Sequence, residues 1–175
     1  MTAMMFILVS GCAPNQHLTD SGTAHSTTGV DLVAAEAWTI DDAVDPYPEH
    51  RDIGQACDPS GMLVEEGLLE VRTGDCGYLI AHQTSRSAVR VGDDIEVLVF
   101  HSSLTAPAPA EGHIALTVDG NSIWENNVTI PSISQVYVEV IEAIFDAPEG
   151  AEVVLHLHNH GSNAWNLGYV RVVHN

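Results

Sequence analysis

The chain has 175 residues, of which 24 are acidic and only five are basic, and its formal net charge at pH 7 is -19. With so few cations to neutralise phosphates, the composition argues against a nucleic-acid partner and against docking on anionic lipid headgroups. Two interpretations of the acidity remain open. One is solubility in a saline habitat, where salt screens self-repulsion, and the other is a surface that collects cations.

The N-terminus combines a short apolar run, Met4–Leu8, with the sequence Leu-Val-Ser-Gly-Cys at positions 8–12. This pattern resembles the lipobox of bacterial lipoproteins. The resemblance implies that residues 1–11 are a signal peptide and that the sulfur of Cys12 receives a diacylglycerol. Because Ala13 follows, it also implies lipid anchoring in the bacterial outer membrane, with the protein periplasmic or surface-exposed.

The predicted membrane partner is therefore a lipid bilayer contacted through an acyl anchor. The apolar run is far shorter than the ~20 residues that a membrane-spanning helix needs. The start of the chain lacks the usual basic residues, so a misassigned start or a chance match is the alternative.

Residues 12–36 are predicted to be a flexible, lipid-anchored tether. They are mostly small and polar and show no hydrophobic period, so they cannot bury enough apolar area to fold. The remaining residues, 37–175, are enough for one domain with a core of its own.

Short runs of alternating apolar residues fill that domain, and turn residues such as Asp119-Gly120 separate them. No run keeps a 3.6-residue period. Strands that recur about every 10 residues predict an all-β fold, a single antiparallel β-sandwich that is jelly-roll-like. Residues 41–61 are expected to be irregular. The predicted strands are 67–73, 78–83, 88–91, 95–101, 113–118, 122–124, 127–130, 136–143, 153–159 and 165–173.

Two cysteines lie inside the predicted domain, Cys57 and Cys76. An even pair in an exported chain predicts a disulfide. It would close a loop of about 20 residues and stabilise the fold by on the order of 3 kcal/mol. A metal-binding pair is the alternative, although neither cysteine lies in a Cys-x-x-Cys motif.

The segment Val153–His160 alternates cleanly between aliphatic and histidine side chains. In a strand, residues two apart share a face, so His156, His158 and His160 should lie on the face turned away from the core. With partners from neighbouring strands, such as His101 or His113, they could bind zinc or copper. The alternative is a solvated strand face on which histidine is an ordinary polar residue.

The last strand follows a Gly-Ser-Asn turn and is rich in aromatic residues. Its layout resembles the closing strands of carbohydrate-binding jelly-roll modules of the galactose-binding type. The resemblance implies that an aromatic residue and a nearby Asn contact sugar, since amides offer donors and acceptors to hydroxyl groups. The alternative places both tryptophans in the core. The ligand-binding candidates are Trp165, Asn163, Asn166, Trp124 and His160.

Such modules often carry a structural calcium ion, for which Asp41, Asp42 and Asp45 could supply oxygens, although no EF-hand spacing is present. The sequence contains no nucleophile elbow, zinc-protease helix or phosphate loop, and we expect no enzyme activity. The predicted function is a non-catalytic ligand-binding lipoprotein of the cell envelope, with a glycan or another envelope component as partner. The alternatives are a histidine-rich zinc or copper protein and a structural envelope protein without a small ligand.

Overall fold

The structure is a computed structural model that describes residues 29–51 and 57–174. Eleven strands form two antiparallel sheets in the described part of the chain. The strands are β1 (Val30–Asp31), β2 (Thr39–Ile40), β3 (Met62–Glu65), β4 (Leu68–Arg72), β5 (Tyr78–Thr84), β6 (Asp94–His101), β7 (Ala110–Val118), β8 (Asn121–Ile130), β9 (Gln135–Glu142), β10 (Glu152–Asn159) and β11 (Ala164–Val173).

The strand order defines the architecture. The first sheet has the order β3-β4-β11-β6-β9, with β1 also paired to β11, and the second has the order β2-β5-β10-β7-β8. The eight strands β4 to β11 therefore make two four-stranded sheets, β4-β11-β6-β9 and β5-β10-β7-β8. This nested order is that of a jelly roll, so the predicted fold class is confirmed.

Alternating side chains explain why the two sheets stack. In β6, Ile95, Val97 and Val99 are fully buried between the sheets, whereas the residues between them are partly exposed. Period-two burial of this kind is expected of an antiparallel sheet with one face on the core. The Asp119-Gly120 turn joins β7 to β8, and both residues have positive φ, 49° and 75°, as a two-residue type I′ hairpin requires.

The domain begins earlier than the sequence suggested. Val30 pairs with Val172 on β11, and Leu32 is fully buried. The predicted boundary between residues 36 and 37 was therefore wrong, because the short Val-Asp-Leu-Val segment already adds a strand and core residues. Cys12 and the rest of residues 1–28 lie outside the described residues.

Several strand predictions also differ in detail. Residues 88–91 form only an isolated bridge, between Val89 and Ala147, and the two predicted strands within residues 122–130 are one continuous strand, β8. The strands β1, β2 and β3 were missed. The first two contain only two residues each, too few for an alternating pattern.

The predicted disulfide between Cys57 and Cys76 is confirmed. Cys76 is fully buried, and Cys57 lies just before the 3₁₀ turn Pro59–Gly61 that leads into β3. The bond fastens this part of the chain to the connection between β4 and β5. In the part of the chain described, no helix has the length and apolar character that crossing a bilayer would require.

Candidate metal site

The outer face of the second sheet carries the histidines. On β10, His156 lies between Ile80 of β5 and Ala115 of β7, and His158 lies between Tyr78 and His113. Period-two alternation turns Leu155 and Leu157 to the core and these imidazoles to the opposite face. Three histidines from two adjacent strands therefore share one surface.

An irregular segment, residues 41–51, crosses this surface, and we call it the strap. Two short 3₁₀ turns, Asp42–Val44 and Pro48–His50, form most of it. The side chain of Asp41 accepts a hydrogen bond from the backbone N–H of Ala43 at 2.9 Å and so caps the first turn. Pro48 begins the second turn, where its fixed φ suits a helical start. The strap ends at Arg51 with His50 directed onto the sheet.

A buried carboxylate fastens the strap to the sheet. The hydroxyl of Tyr78 donates a hydrogen bond to Asp45 Oδ2 at 2.6 Å, and Arg51 contacts the same carboxylate at 3.3 Å. Burial alone would raise the pKa of Asp45, but the hydrogen bonds from Tyr78 and from the backbone N–H of Tyr47 outweigh it and lower the pKa. Burial, together with the Asp45 carboxylate, raises the pKa of Tyr78 well above its ordinary value. Tyr78 is thus a neutral donor to a charged acceptor, which is the stronger kind of hydrogen bond.

Three imidazoles converge between the strap and the sheet: His50 from the strap, His113 from β7 and His156 from β10. One ring nitrogen from each lies within 4.8 Å of the other two. Their ring centroids are 4.7 Å apart for His50 and His113, 5.0 Å for His113 and His156, and 5.5 Å for His50 and His156. A tetrahedral zinc ion holds its nitrogen ligands about 3.4 Å apart. Small movements of the rings, and of His50 on its short turn above all, would bring the three nitrogens to that distance.

Each of the three rings has at least one nitrogen without a hydrogen-bond partner among the described residues. His113 Nε2 lies 2.8 Å from Glu125 Oε1. The other nitrogen of His113, Nδ1, is buried and has no hydrogen-bond partner among the described residues, as is true of His50 Nδ1 and of both nitrogens of His156. Buried polar atoms are normally paired, and each of these neutral rings has one nitrogen with a free lone pair, so the cluster fits a bound cation. A carboxylate that accepts the second N–H of a ligating histidine is also the usual outer partner in such sites.

The electrostatics keep the innermost imidazole neutral. His156 is fully buried, and this burial, helped by the neighbouring His113, lowers the pKa of His156 to about 3. The Asp45 carboxylate, whose Oδ1 lies 3.7 Å from His156 Nδ1, acts in the opposite direction but is outweighed. A neutral imidazole is the form that binds a metal ion.

The remaining predicted histidines divide into two groups. His158 and His160 lie beside the cluster: the His158 ring is 5.9 Å from that of His50 and 4.4 Å from that of His160. His101 does not join them, so its prediction as a metal ligand was wrong. It points into the core from β6, in the other sheet, where its ring packs 4.5 Å from that of Trp165. The sequence could not show that β6 and β7 belong to different sheets.

The predicted sugar-binding residues are not gathered on one surface. Trp165 and Trp124 are only 1% and 8% exposed, so neither offers a face on which a sugar could stack. Trp165 Nε1 instead donates to Asn159 Oδ1 at 3.2 Å inside the core. Asn166 is buried. Asn163, in the exposed turn before β11, donates through Nδ2 to the carbonyl of Ser103.

The three aspartates considered for calcium have protein partners. Asp41 caps the strap's first turn, while Asp42 and Asp45 both contact the guanidinium of Arg51, at 3.0 and 3.3 Å. Arg51 therefore supplies the positive charge that a calcium ion would have supplied to these two carboxylates.

The sequence analysis did not identify two residues of the candidate site, His50 in the cluster and Glu125 beside it. His50 lies in the strap, which has no hydrophobic period and therefore gives no signal of its direction. Glu125 follows the Asp119-Gly120 hairpin, and a regular register would place it opposite Ile114, facing the core. A register shift between Leu116 and Thr117 instead pairs Glu125 with Ala115 and turns it to the histidine side.

No protein-family model matches this chain, and no curated protein sequence matches it. Among solved structures, it is similar to a CBM4 protein (13% identity, TM-score 0.42, covering 77% of this chain and 92% of that one). It is also similar to the second N-terminal cellulose-binding domain of Cellulomonas fimi β-1,4-glucanase C (10% identity, TM-score 0.39, covering 83% and 95%). A third is the apo form of BiXyn10A CBM1 (14% identity, TM-score 0.36, covering 85% and 93%).

These similarities are low in both sequence and superposition. The jelly roll is therefore assigned from the strand order of this chain itself. Fold and site together define a jelly-roll β-sandwich with a three-histidine candidate metal site on the outer face of one sheet.

Proposed function

We propose that this protein binds one transition-metal ion, zinc or copper, through His50, His113 and His156. The observation that carries the proposal is the convergence of three imidazoles, two buried and that of His50 partly buried, each with a buried nitrogen that has no hydrogen-bond partner among the described residues. A purely structural cluster would be expected to pair those nitrogens.

The ligand chemistry favours zinc or copper over calcium or magnesium. Imidazole nitrogen is a preferred ligand of zinc and copper, whereas calcium and magnesium take oxygen ligands. The nearest carboxylates contact the imidazole rings: an oxygen of Glu125 lies 2.8 Å from a nitrogen of His113, and an oxygen of Asp45 lies 3.7 Å from a nitrogen of His156. The ligand atoms that converge are therefore nitrogens. Three protein ligands leave a tetrahedral ion one position for water or a further side chain.

Metal content and titration test this function directly. The full chain, produced without a histidine tag, should bind one zinc or copper ion per molecule after metal removal and reloading, and binding should raise the melting temperature. His50→Gln should weaken binding strongly, because it removes the strap's ligand without disturbing a core residue. The matched control is His82→Gln, which changes a partly exposed histidine on the same sheet face, contacting Glu152 rather than the cluster.

Two results would overturn the metal function. One is the absence of stoichiometric zinc and copper binding together with no thermal shift on adding either ion. The other is equal loss of binding in His50→Gln and His82→Gln, which would indicate general surface binding by histidines.

Glycan binding is a second candidate, and one observation favours a particular place for it. A polar hollow lies beside the turn before β11 and is lined by Arg72, Ser102, Thr105, Ser162 and Asn163, among others. Such side chains can exchange hydrogen bonds with sugar hydroxyl groups. A glycan array should then show binding that Asn163→Ala removes. Equal binding by Asn163→Ala and wild type would exclude this hollow.

The acyl anchor at Cys12 also remains a proposal, and with it the placement of a non-catalytic protein at the cell envelope. Its support is the sequence at residues 8–12. In a bacterial host that exports the chain, the wild type should partition into detergent, and Cys12→Ser should remain in the aqueous phase. A Cys12→Ser protein that still partitions into detergent would exclude the anchor.

A further inference from the structure

A small surface pocket, which we call the opening, borders the candidate metal site. This opening is lined by His50, His113, His158 and His160, together with Glu111 and Asn127. It lies at the C-terminal end of β10. Two of its histidines belong to the three-histidine cluster, and two do not.

Exposure rises in steps along the outer face of β10. His156 is fully buried, His158 is partly exposed and His160 is exposed. His156 and His158 are two residues apart on β10 and therefore lie about 7 Å from each other on the same face, and His160 directly follows the strand, which ends at Asn159. The three imidazoles therefore form a row from the interior to the solvent. The rings of His160 and His158 are 4.4 Å apart, and His158 lies 5.9 Å from His50.

The backbone fixes the outer end of this row. The N–H of His160 donates to the carbonyl of Glu111 on β7 at 3.1 Å, which holds the last histidine beside the opening. The exposed carboxylates of Glu111 and Glu125 lie on the same side of the sheet as the cluster. Acidic groups around a recess raise the local concentration of cations and speed their capture.

From this arrangement we propose that His160 and His158 are an access route for the metal ion. The ion exchanges water for the imidazole of His160, passes to His158 and reaches His50, His113 and His156. His160 is a transfer residue in this scheme and does not hold the ion at equilibrium. The inference rests on the proposed metal function and deepens it by specifying how a divalent cation reaches a site under the strap.

Stopped-flow measurements of zinc transfer from a fluorescent indicator to the metal-free full chain test the route. His160→Ala should slow association several-fold and slow dissociation by the same factor, so that the dissociation constant stays the same. This pattern is expected because the variant removes a step shared by entering and leaving ions without changing the bound state. His82→Ala, which changes a histidine on β5 away from the opening, is the matched control and should leave both rates unchanged.

The outcomes separate the route from the site. Normal stoichiometry with unchanged rates in His160→Ala would exclude the route and leave the site intact. A large rise in the dissociation constant of His160→Ala would also overturn the proposal, because it would make His160 a ligand. A wild-type protein that binds no zinc would instead remove the metal function, and the route with it.

Discussion

At the residue scale, the contact between His113 and Glu125 has the clearest chemical consequence. With Nε2 of His113 directed at Glu125 Oε1, 2.8 Å away, the nitrogen left for an ion is Nδ1. The carboxylate fixes the ring's orientation and makes the ligating nitrogen more basic. In the proposed metal site, Glu125 would therefore position the ring of His113 without itself contacting the ion.

Replacing this carboxylate should weaken metal binding without abolishing it. We expect Glu125→Gln to lower the zinc affinity by about tenfold or more, because the amide is a weaker acceptor and adds no negative charge. Competition titration with a chelator measures the change. The control is Glu139→Gln, which removes an exposed carboxylate on the other sheet and should leave the zinc affinity unchanged. Equal affinities in all three proteins would remove Glu125 from the site.

Burial of His156 should make the metal-free protein sensitive to acid. The pKa of His156 is lowered to about 3 in the folded protein, against about 6.5 in an unfolded chain. The unfolded state therefore binds more protons between these values. The stabilising contribution is complete above about pH 6.5 and is lost as the pH falls towards 3.

The measurement is the melting temperature at pH 7.5 and pH 5 in the presence of a chelator. Wild type should lose more stability on acidification than His156→Gln, in which this titration is absent. The comparison cancels the effect of carboxylates common to both proteins. The charged or titratable groups around His156 are His113, His50, His158, Asp45, Tyr47 and Tyr78. An identical pH dependence in the two proteins would contradict a buried, neutral His156.

At the element scale, the strap carries the one proposed ligand, His50, that does not lie on the sheet. It is tied to the sheet by the hydrogen bond from Tyr78 to Asp45 and by the contacts of Arg51, and it carries His50 at its end. A metal ion would add a bond between the strap and two strands. Binding should therefore stabilise this element more than the rest of the fold.

Hydrogen exchange can measure that local effect. Zinc should slow exchange of the backbone amides of residues 42–50 in the wild type, because opening of the strap would require breaking a metal–ligand bond. In His50→Gln, zinc should leave these amides unchanged. If zinc slowed exchange equally throughout the domain, with no greater slowing in the strap, the result would contradict the proposal that His50 is a ligand.

The elements also show what sequence can and cannot predict. Alternation between aliphatic and polar residues was sufficient for β6 and β10, and it placed His156 and His158 on the outer face correctly. It failed for His101 because periodicity gives the face of a strand but not its neighbours. Alternation could not have placed Glu125, because one bulge in the β7–β8 hairpin reverses the face of every residue beyond it. His50 could not be placed because the strap has no period.

At the scale of the whole molecule, one edge of the first sheet exposes apolar surface. On β9, Val136, Val138 and Val140 are 66%, 62% and 61% exposed. An edge strand of this kind invites pairing with another chain. Glu139 lies between the last two valines and points to the same side as Val97 of β6, the side of the core, where a charge disfavours such pairing.

Removing this charge should promote association. We expect Glu139→Val to form larger species at high protein concentration in light scattering, more strongly at high salt, where the repulsion between chains of charge -19 is screened. Glu149→Val makes the same change in charge in the turn before β10 and should associate no more than the wild type does. Association of both variants to the same extent would show that net charge, not the β9 edge, keeps the chains apart.

The most direct test of the metal site is anomalous X-ray diffraction from crystals of the untagged chain grown with one equivalent of zinc. Data recorded above and below the zinc absorption edge should give one strong peak, with nitrogens of His50, His113 and His156 about 2.0–2.1 Å from it. Diffraction that shows the three rings in place with no anomalous peak between them, or a zinc ion bound only elsewhere, would contradict the account.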